Sequence, residues 1–214
     1  SVSCVEKKNS KIFKNYQIEA EQQNAWNAQG DGLYSQASVM AESEFMNNWM
    51  AMLGSQYKWR TADEWVLRGG PALRLPDQLS LFSFVQTNRS RNFYLSLDGN
   101  YDRFLSGNSF NYSFSTEISI RPRSNLRFSL QPSYQKTRNE FQYITQITKV
   151  DNTKTYLLGT IDNRNLGFTF RMDLALTPEL TLQYYGSPFV SIGRYIDFKK
   201  VASPKNENYA DRFA

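Results

Sequence analysis

The residues able to do chemistry are carboxylates. Among 20 acidic residues, Asp63 with Glu64 and Asp98 with Asp102 are the pairs that glycoside hydrolysis could draw on. Asp98 and Asp102 lie on one polar face of one expected strand, which suits a wall better than a cleft. Asp31-Gly32 and Asp151-Asn152 offer oxygens for calcium, yet neither has the spaced carboxylates of a calcium loop, and both read as turns. The chain has no His, so no Ser-His-Asp or Cys-His triad can be assembled. The single Cys4 rules out an intramolecular disulfide framework and a Cys-based zinc site. Gly69-Gly70 lacks the following Lys and the strand-to-helix context of a phosphate loop, and is expected to mark a bulge or tight bend in a strand. The expectation is a protein with no catalytic residues, no cofactor and no metal.

What would position these residues is a set of β-strands. From Phe110 to Gln135 the sequence alternates: Phe110, Tyr112, Phe114, Ile118 and Ile120 against Asn111, Ser113, Ser115, Glu117 and Ser119. The turn Arg121-Pro122-Arg123-Ser124-Asn125 follows, and alternation resumes with Leu126, Phe128, Leu130 and Tyr134 against Arg127, Ser129, Gln131 and Ser133. Successive strand residues point to opposite faces, so period two means β. The cleanest run is Leu166 to Leu176, with Thr169, Arg171 and Asp173 opposite the apolar set. Similar runs begin at Trp49, Phe93, Phe141 and Leu180, and weaker ones cover 12–23 and 33–45, while 42–52 would also pass for a short helix. About ten to twelve strands of antiparallel meander are expected, with no helical pattern between them to make parallel crossovers. Residues 1–214 read as a single β domain, irregular at 1–10 and again over a tail at 203–214.

Alternation alone allows a lipid-facing barrel or a soluble sandwich or lipocalin-like barrel. Three features favour an outer-membrane barrel, or a large fragment of one. The strands run to about ten residues, the length of a tilted membrane-spanning strand. The polar face carries Ser, Thr, Asn, Gln and Arg, as a hydrated lumen does. Aromatics make up 15% of the chain and recur near strand ends. A mean hydropathy of -0.58 is compatible, because lipid-facing and lumen-facing residues average out. The lipid-facing set is then Phe110, Tyr112, Phe114, Phe128, Leu130, Phe168, Phe170 and Leu174. The lumen set is Arg127, Gln131, Gln142, Gln146, Thr169, Arg171 and Asp173, and the aromatic girdle is Trp49, Trp59, Tyr101 and Tyr184. The net charge of +5 suits anionic surroundings, with outer-membrane lipid rather than nucleic acid as the expected partner.

The arginines and tryptophans each carry two readings. Arg68, Arg74, Arg123, Arg127, Arg138, Arg171 and Arg194 could line an anion-selective constriction, or could lie in turns and pair with Asp173, Glu117 or Glu140. The turn reading is favoured for Arg121 and Arg123. Trp26, Trp49, Trp59 and Trp65 could stack on sugar rings, but interface anchoring is the commoner role.

Two runs carry a resemblance: Leu67-Arg68-Gly69-Gly70-Pro71-Ala72-Leu73, and the stretch from Gln183 to Tyr195 containing Tyr184-Tyr185-Gly186-Ser187-Pro188. With Arg121-Pro122 and Pro132-Ser133-Tyr134, they resemble a family of Gram-negative outer-membrane β-barrel domains of unknown function. In that family the barrel usually follows a sugar-binding module similar to carbohydrate-binding family 9. The likeness extends from about Phe45 onward. It implies location in the cell outer membrane and a role in transport, docking or anchoring. The implied partners are carbohydrate, through a module absent from this segment, and other outer-membrane subunits. The alternative is the barrel portion of a surface-associated carbohydrate-active hydrolase whose catalytic residues lie outside the segment. With no signal peptide, no sugar-binding module and no alternating strand at 206–214, the segment is expected to be an excerpt of a longer chain.

Overall fold

The computed structural model of the protein describes the backbone of residues 2–6 and the whole of residues 11–214. Strands β1 (Val2–Glu6), β2 (Phe13–Trp26), β3 (Gly32–Phe45) and β4 (Met50–Trp59) pair in order. An excursion follows, carrying two short strands, β5 (Ala62–Asp63) and β6 (Leu73–Arg74), that pair only with each other. The main sheet resumes with β7 (Gln78–Gln86), β8 (Phe93–Phe104), β9 (Phe110–Arg123), β10 (Leu126–Thr148) and β11 (Lys154–Thr177). Last come β12 (Leu180–Gly186) and β13 (Phe189–Lys200), then a single 3₁₀ turn at Ala210–Arg212. Every pairing is antiparallel, and in the main sheet each strand pairs with the next as a meander requires, β4 with β7 across the β5–β6 excursion, while β13 pairs with β11 beyond β12. The described residues contain no α-helix.

Strands β12 and β13 act as one. Phe170 faces Gly186 and Gly167 faces Phe189, so the register against β11 is the same on both sides of Ser187-Pro188. Proline has no N–H, and the ladder is interrupted there although the Phe168 amide still donates to the Pro188 carbonyl at 3.0 Å. The sheet is open: among the described residues, β1 and the β12–β13 strand do not pair with each other.

Two expectations need correction. Val2–Glu6 is not irregular but pairs with β2 from Val2↔Ala20 to Glu6↔Tyr16. Five residues are too few to display a period, and the partner strand supplies the order. The rest of the 1–10 expectation lies outside the described residues. Gly69-Gly70 sits not in a strand but in the turn between β5 and β6, where Arg68 and Gly69 both have positive φ (46° and 92°). The tail at 203–214 has only the 3₁₀ turn and one isolated bridge, Val201↔Phe213.

The register separates two faces along the whole sheet. On one, Phe93 faces Ile120, Ile120 faces Phe128 and Phe128 faces Met172. Further along the same strands Tyr101 faces Tyr112 and Tyr134 faces Phe114. These side chains are largely solvent-accessible: Leu53, Phe114, Phe168 and Ile192 are 65%, 51%, 44% and 67% exposed. On β11 the apolar run ends after Leu166, and the same alternate positions continue as Arg164 and Asp162. Arg103 on β8, Lys136 and Arg138 on β10, and Arg194 on β13 occupy corresponding positions. The apolar run on β11, Leu166 to Leu176, is 11 residues long, about 36 Å of strand at about 3.3 Å per residue.

Beyond the charged row, β10 and β11 continue together to Thr148↔Lys154, with register shifts between Asn139 and Gln142 and between Tyr143 and Thr145. A cluster of buried apolar residues lies there, joining Leu67 and Leu73 from the β5–β6 excursion to Phe141, Tyr156, Leu158 and Val201. The long connections and this cluster mark a loop end of the sheet. The β3–β4, β7–β8, β9–β10 and β11–β12 connections mark an opposite turn end.

Candidate functional site

The polar face is joined across strands by side-chain hydrogen bonds. Gln36 donates to Gln23 at 2.7 Å and Gln56 donates to Gln36 at 2.9 Å, linking β2, β3 and β4. A second chain centres on Asp102, which accepts from Ser80 Oγ at 2.6 Å and from Asn111 Nδ2 at 3.0 Å. Asn111 in turn accepts from Thr137 at 2.8 Å and Gln135 at 2.9 Å, and Asn165 donates to Gln135 at 3.2 Å. Five adjacent strands, β7 to β11, are tied in this way. Each oxygen of Asp102 accepts one of these hydrogen bonds. A cleft of about 330 Å³ opens at the loop end of this chain, lined by Gln78, Asp102, Asn111 and Thr137 beneath Val66, Leu75, Phe104 and Phe141.

The residues expected on the lumen side divide in two. Arg127 faces Asp173, Gln131 faces Thr169 and Ser129 faces Arg171, so five of the seven share the polar face. Gln142 and Gln146 lie past the register shifts, opposite Gly159 and Tyr156, where simple counting of alternate positions no longer carries. The eight residues expected on the lipid side share the opposite, apolar face. Of the girdle residues, Trp59 and Tyr101 sit toward the loop end, and Trp49 and Tyr184 toward the turn end. Arg127 pairs with Glu117 at 3.5 Å, one of the pairings expected for the arginines. Arg171 instead lies over the Tyr185 ring at 5.5 Å.

Sequence reading missed the loop-end cap. Arg212 is 4% exposed and donates to three carbonyls: Asn206 at 2.8 Å, Arg74 at 2.9 Å and Glu207 at 2.7 Å. It staples the tail to the excursion, where Arg74 N also donates to the Pro204 carbonyl at 2.8 Å. Beside it, Lys199 Nζ sits among three rings, 3.8 Å from Phe213, 4.8 Å from Phe141 and 5.3 Å from Tyr209. The Tyr209 hydroxyl donates to Glu140 at 3.1 Å, and Glu140 also accepts from the Asn108 amide at 2.7 Å. Burial, and then the Glu140 charge, push the Tyr209 phenol well above its ordinary range. The other tempting carboxylates serve turns. Asp63 accepts from the Trp65 and Val66 amides at 2.7 and 3.0 Å, and Asp151 accepts from Thr153 N at 3.0 Å. No group of three His, Cys, Asp or Glu able to hold a metal ion occurs among the described residues.

A family model described as Domain of unknown function (DUF5916) matches residues 2–209, nearly the whole chain. The chain belongs to the DUF5916 family. No curated protein and no solved structure matches it. In this DUF5916 chain the antiparallel meander carries a polar face tied by hydrogen bonds, an apolar face left open and a small capped core at one end. Among the described residues no helix is long and apolar enough to cross a membrane, a fact that leaves strand-built membrane proteins untouched.

Proposed function

We propose that this DUF5916 domain is the membrane part of an outer-membrane β-barrel that transports, docks or anchors, together with a sugar-binding module elsewhere in the same protein. The observation that carries the reading is the apolar face. Its 11-residue run on β11 would rise about 25 Å at the roughly 45° tilt of a barrel strand, it ends on several strands in a row of charges, and it has behind it a face whose polar groups bond to one another. A soluble monomer seldom exposes so large an apolar surface, whereas lipid covers it at no cost in hydration. In a bilayer the two free sheet edges have to be paired, with each other or with further strands. The capped end, with its own water-excluding core, then stands outside the hydrocarbon.

The test uses the full-length protein in the outer-membrane fraction of its cells. With every Trp of the full-length protein except Trp49 and Trp59 replaced by Phe, these two report on the ends of the apolar face. Brominated lipids are expected to quench their fluorescence, and extraction is expected to need detergent. A protein that stays in solution without detergent and whose tryptophans ignore the bromines refutes the reading. Planar-bilayer recording then separates pore from anchor: a conductance whose ion preference moves toward cations in Arg171→Glu marks a pore, and silence in both proteins marks an anchor or docking barrel.

A further inference from the structure

At the turn end, opposite the cap, the β7–β8 connection and the adjoining ends of β8, β9 and β10 enclose a cleft of about 290 Å³ lined by Arg89, Arg91, Arg121 and Arg127; Arg121, expected in a turn, lies in β9. Glu117 is the one carboxylate in its wall, so four guanidiniums stand against a single negative charge. Guanidinium groups do not escape repulsion by losing a proton, so the imbalance persists at every physiological pH.

The groups are built in rather than scattered. Tyr94 and Ser119, opposite each other on β8 and β9, are 4% and 5% exposed and form the floor. Arg89 lies over the Tyr94 ring at 5.2 Å and donates from Nε to its hydroxyl at 3.1 Å, and that hydroxyl donates to Gln86 at 3.0 Å. Arg127 donates from Nε to Ser119 Oγ at 3.0 Å and reaches Glu117 at 3.5 Å. The Arg121 amide donates to the Asn92 carbonyl at 2.7 Å, tying the β7–β8 connection to β9. Two arginines are thus held by their Nε atoms. Arg91 and Arg121 have no carboxylate partner among the described residues. A planar fork of donors fits two oxygens of one oxyanion, and several forks around one cleft fit a phosphate from more than one side.

We propose that this cleft is a binding site for a phosphate-bearing anion, with Arg91 and Arg121 as the ligating pair and Arg89 and Arg127 as fixed walls. The inference stands apart from the membrane reading, since it rests on charge and geometry at one end of the sheet. A free phosphorylated solute and the phosphate of a lipid headgroup share this chemistry, and two probes tell them apart.

The experiment is calorimetric titration of the purified full-length protein at low salt, in a detergent with an uncharged headgroup where one is needed. Inorganic pyrophosphate is expected to bind saturably at one site. Raising the salt is expected to weaken it. Arg91→Gln combined with Arg121→Gln is expected to weaken it by at least about tenfold, the loss of one or two charge-assisted hydrogen bonds. Arg68→Gln, at the opposite end of the sheet, is expected to leave it unchanged. Repeating the titration with a short-chain soluble phosphatidic acid assigns the source. Tighter binding than pyrophosphate points to a lipid headgroup, and equal or weaker binding to a free solute. No saturable binding of either probe, or binding that the double variant retains in full, overturns the site. The double variant's fold is checked by its electrophoretic mobility before and after heating.

Discussion

Phe170→Arg tests the apolar face most directly. Phe170 lies near the middle of the apolar run of β11, four residues from Leu166 and six from Leu176. Its ring is 6.4 Å from that of Phe128 and 5.8 Å from that of Tyr184, and it remains 37% exposed. If lipid covers this face, an arginine there meets the bilayer close to its midplane and costs about 2–4 kcal/mol. Trp49, immediately before β4 at the turn end, is 43% exposed, and an arginine there reaches the headgroups at a cost of about 0–1 kcal/mol. The two substitutions should differ by about 2–3 kcal/mol, roughly 30- to 150-fold in the folding equilibrium. The assay is urea unfolding of the full-length protein in liposomes, followed by the change in electrophoretic mobility on heating. Equal losses at the two positions would refute the assigned depths, and no loss at Phe170 would refute lipid contact altogether.

Arg212→Ala should release the tail from the β5–β6 excursion at a cost of about 3–5 kcal/mol, since it strips three carbonyls of a buried charged donor; faster hydrogen exchange at Arg74 and Ala202, with the β7–β11 amides unchanged, is the check. Tyr209 has a raised folded-state pKa, so its contribution is fully present below its ordinary value near 10 and fades as pH rises through the folded one; alkaline proteolysis of the tail should appear only above that range, and Tyr209→Phe should remove the pH dependence. Gly54→Ala should cost about 1–3 kcal/mol, because a Cβ there would overlap the Phe82 ring; adding Phe82→Leu should recover part of it in the same urea assay.

How much of this was legible in the sequence follows from where the information lies. Alternation is a local signal, and it located the two faces of β8 to β12 because those strands are long and their neighbours fall in register. Met50 and Met52 blurred the pattern in β4, and the structure shows why. They share the polar face with Phe82 and Phe84 of β7, an apolar patch in which Met50 Sδ accepts from Gln86 and Phe82 covers Gly54. The cap was invisible for a different reason. Arg74 and Arg212 are 138 residues apart, and no periodicity links a turn to a tail. Gln142 and Gln146 were assigned a side by counting, which two register shifts in β10 make unsafe. The arginine cleft combines two segments that each looked like ordinary turn chemistry, and only the β8–β9 pairing brings Arg89 and Arg91 to Arg121.

Pro188 bears on how the sheet is finished. In an antiparallel ladder the N–H and C=O of one residue point to the same side, and sides alternate along the strand. Because the Pro188 carbonyl is directed at Phe168, the donor that proline lacks would also have faced inward, toward β11. The outward-directed groups therefore belong to its neighbours Tyr185, Ser187, Phe189 and Ser191, none of which is a proline. Proteins that must stay single usually blunt such a border with a proline or charge aimed outward. Here the interruption falls on the side that is already taken, and from Tyr185 to Ser191 the other border keeps its donors and acceptors, although farther along Asp197 has a positive φ and Lys200 pairs with Ala214. A newly arriving strand would find a template ready to zip from either direction, which makes this margin the natural seam for assembly and the first place for unwanted strand exchange when assembly stalls.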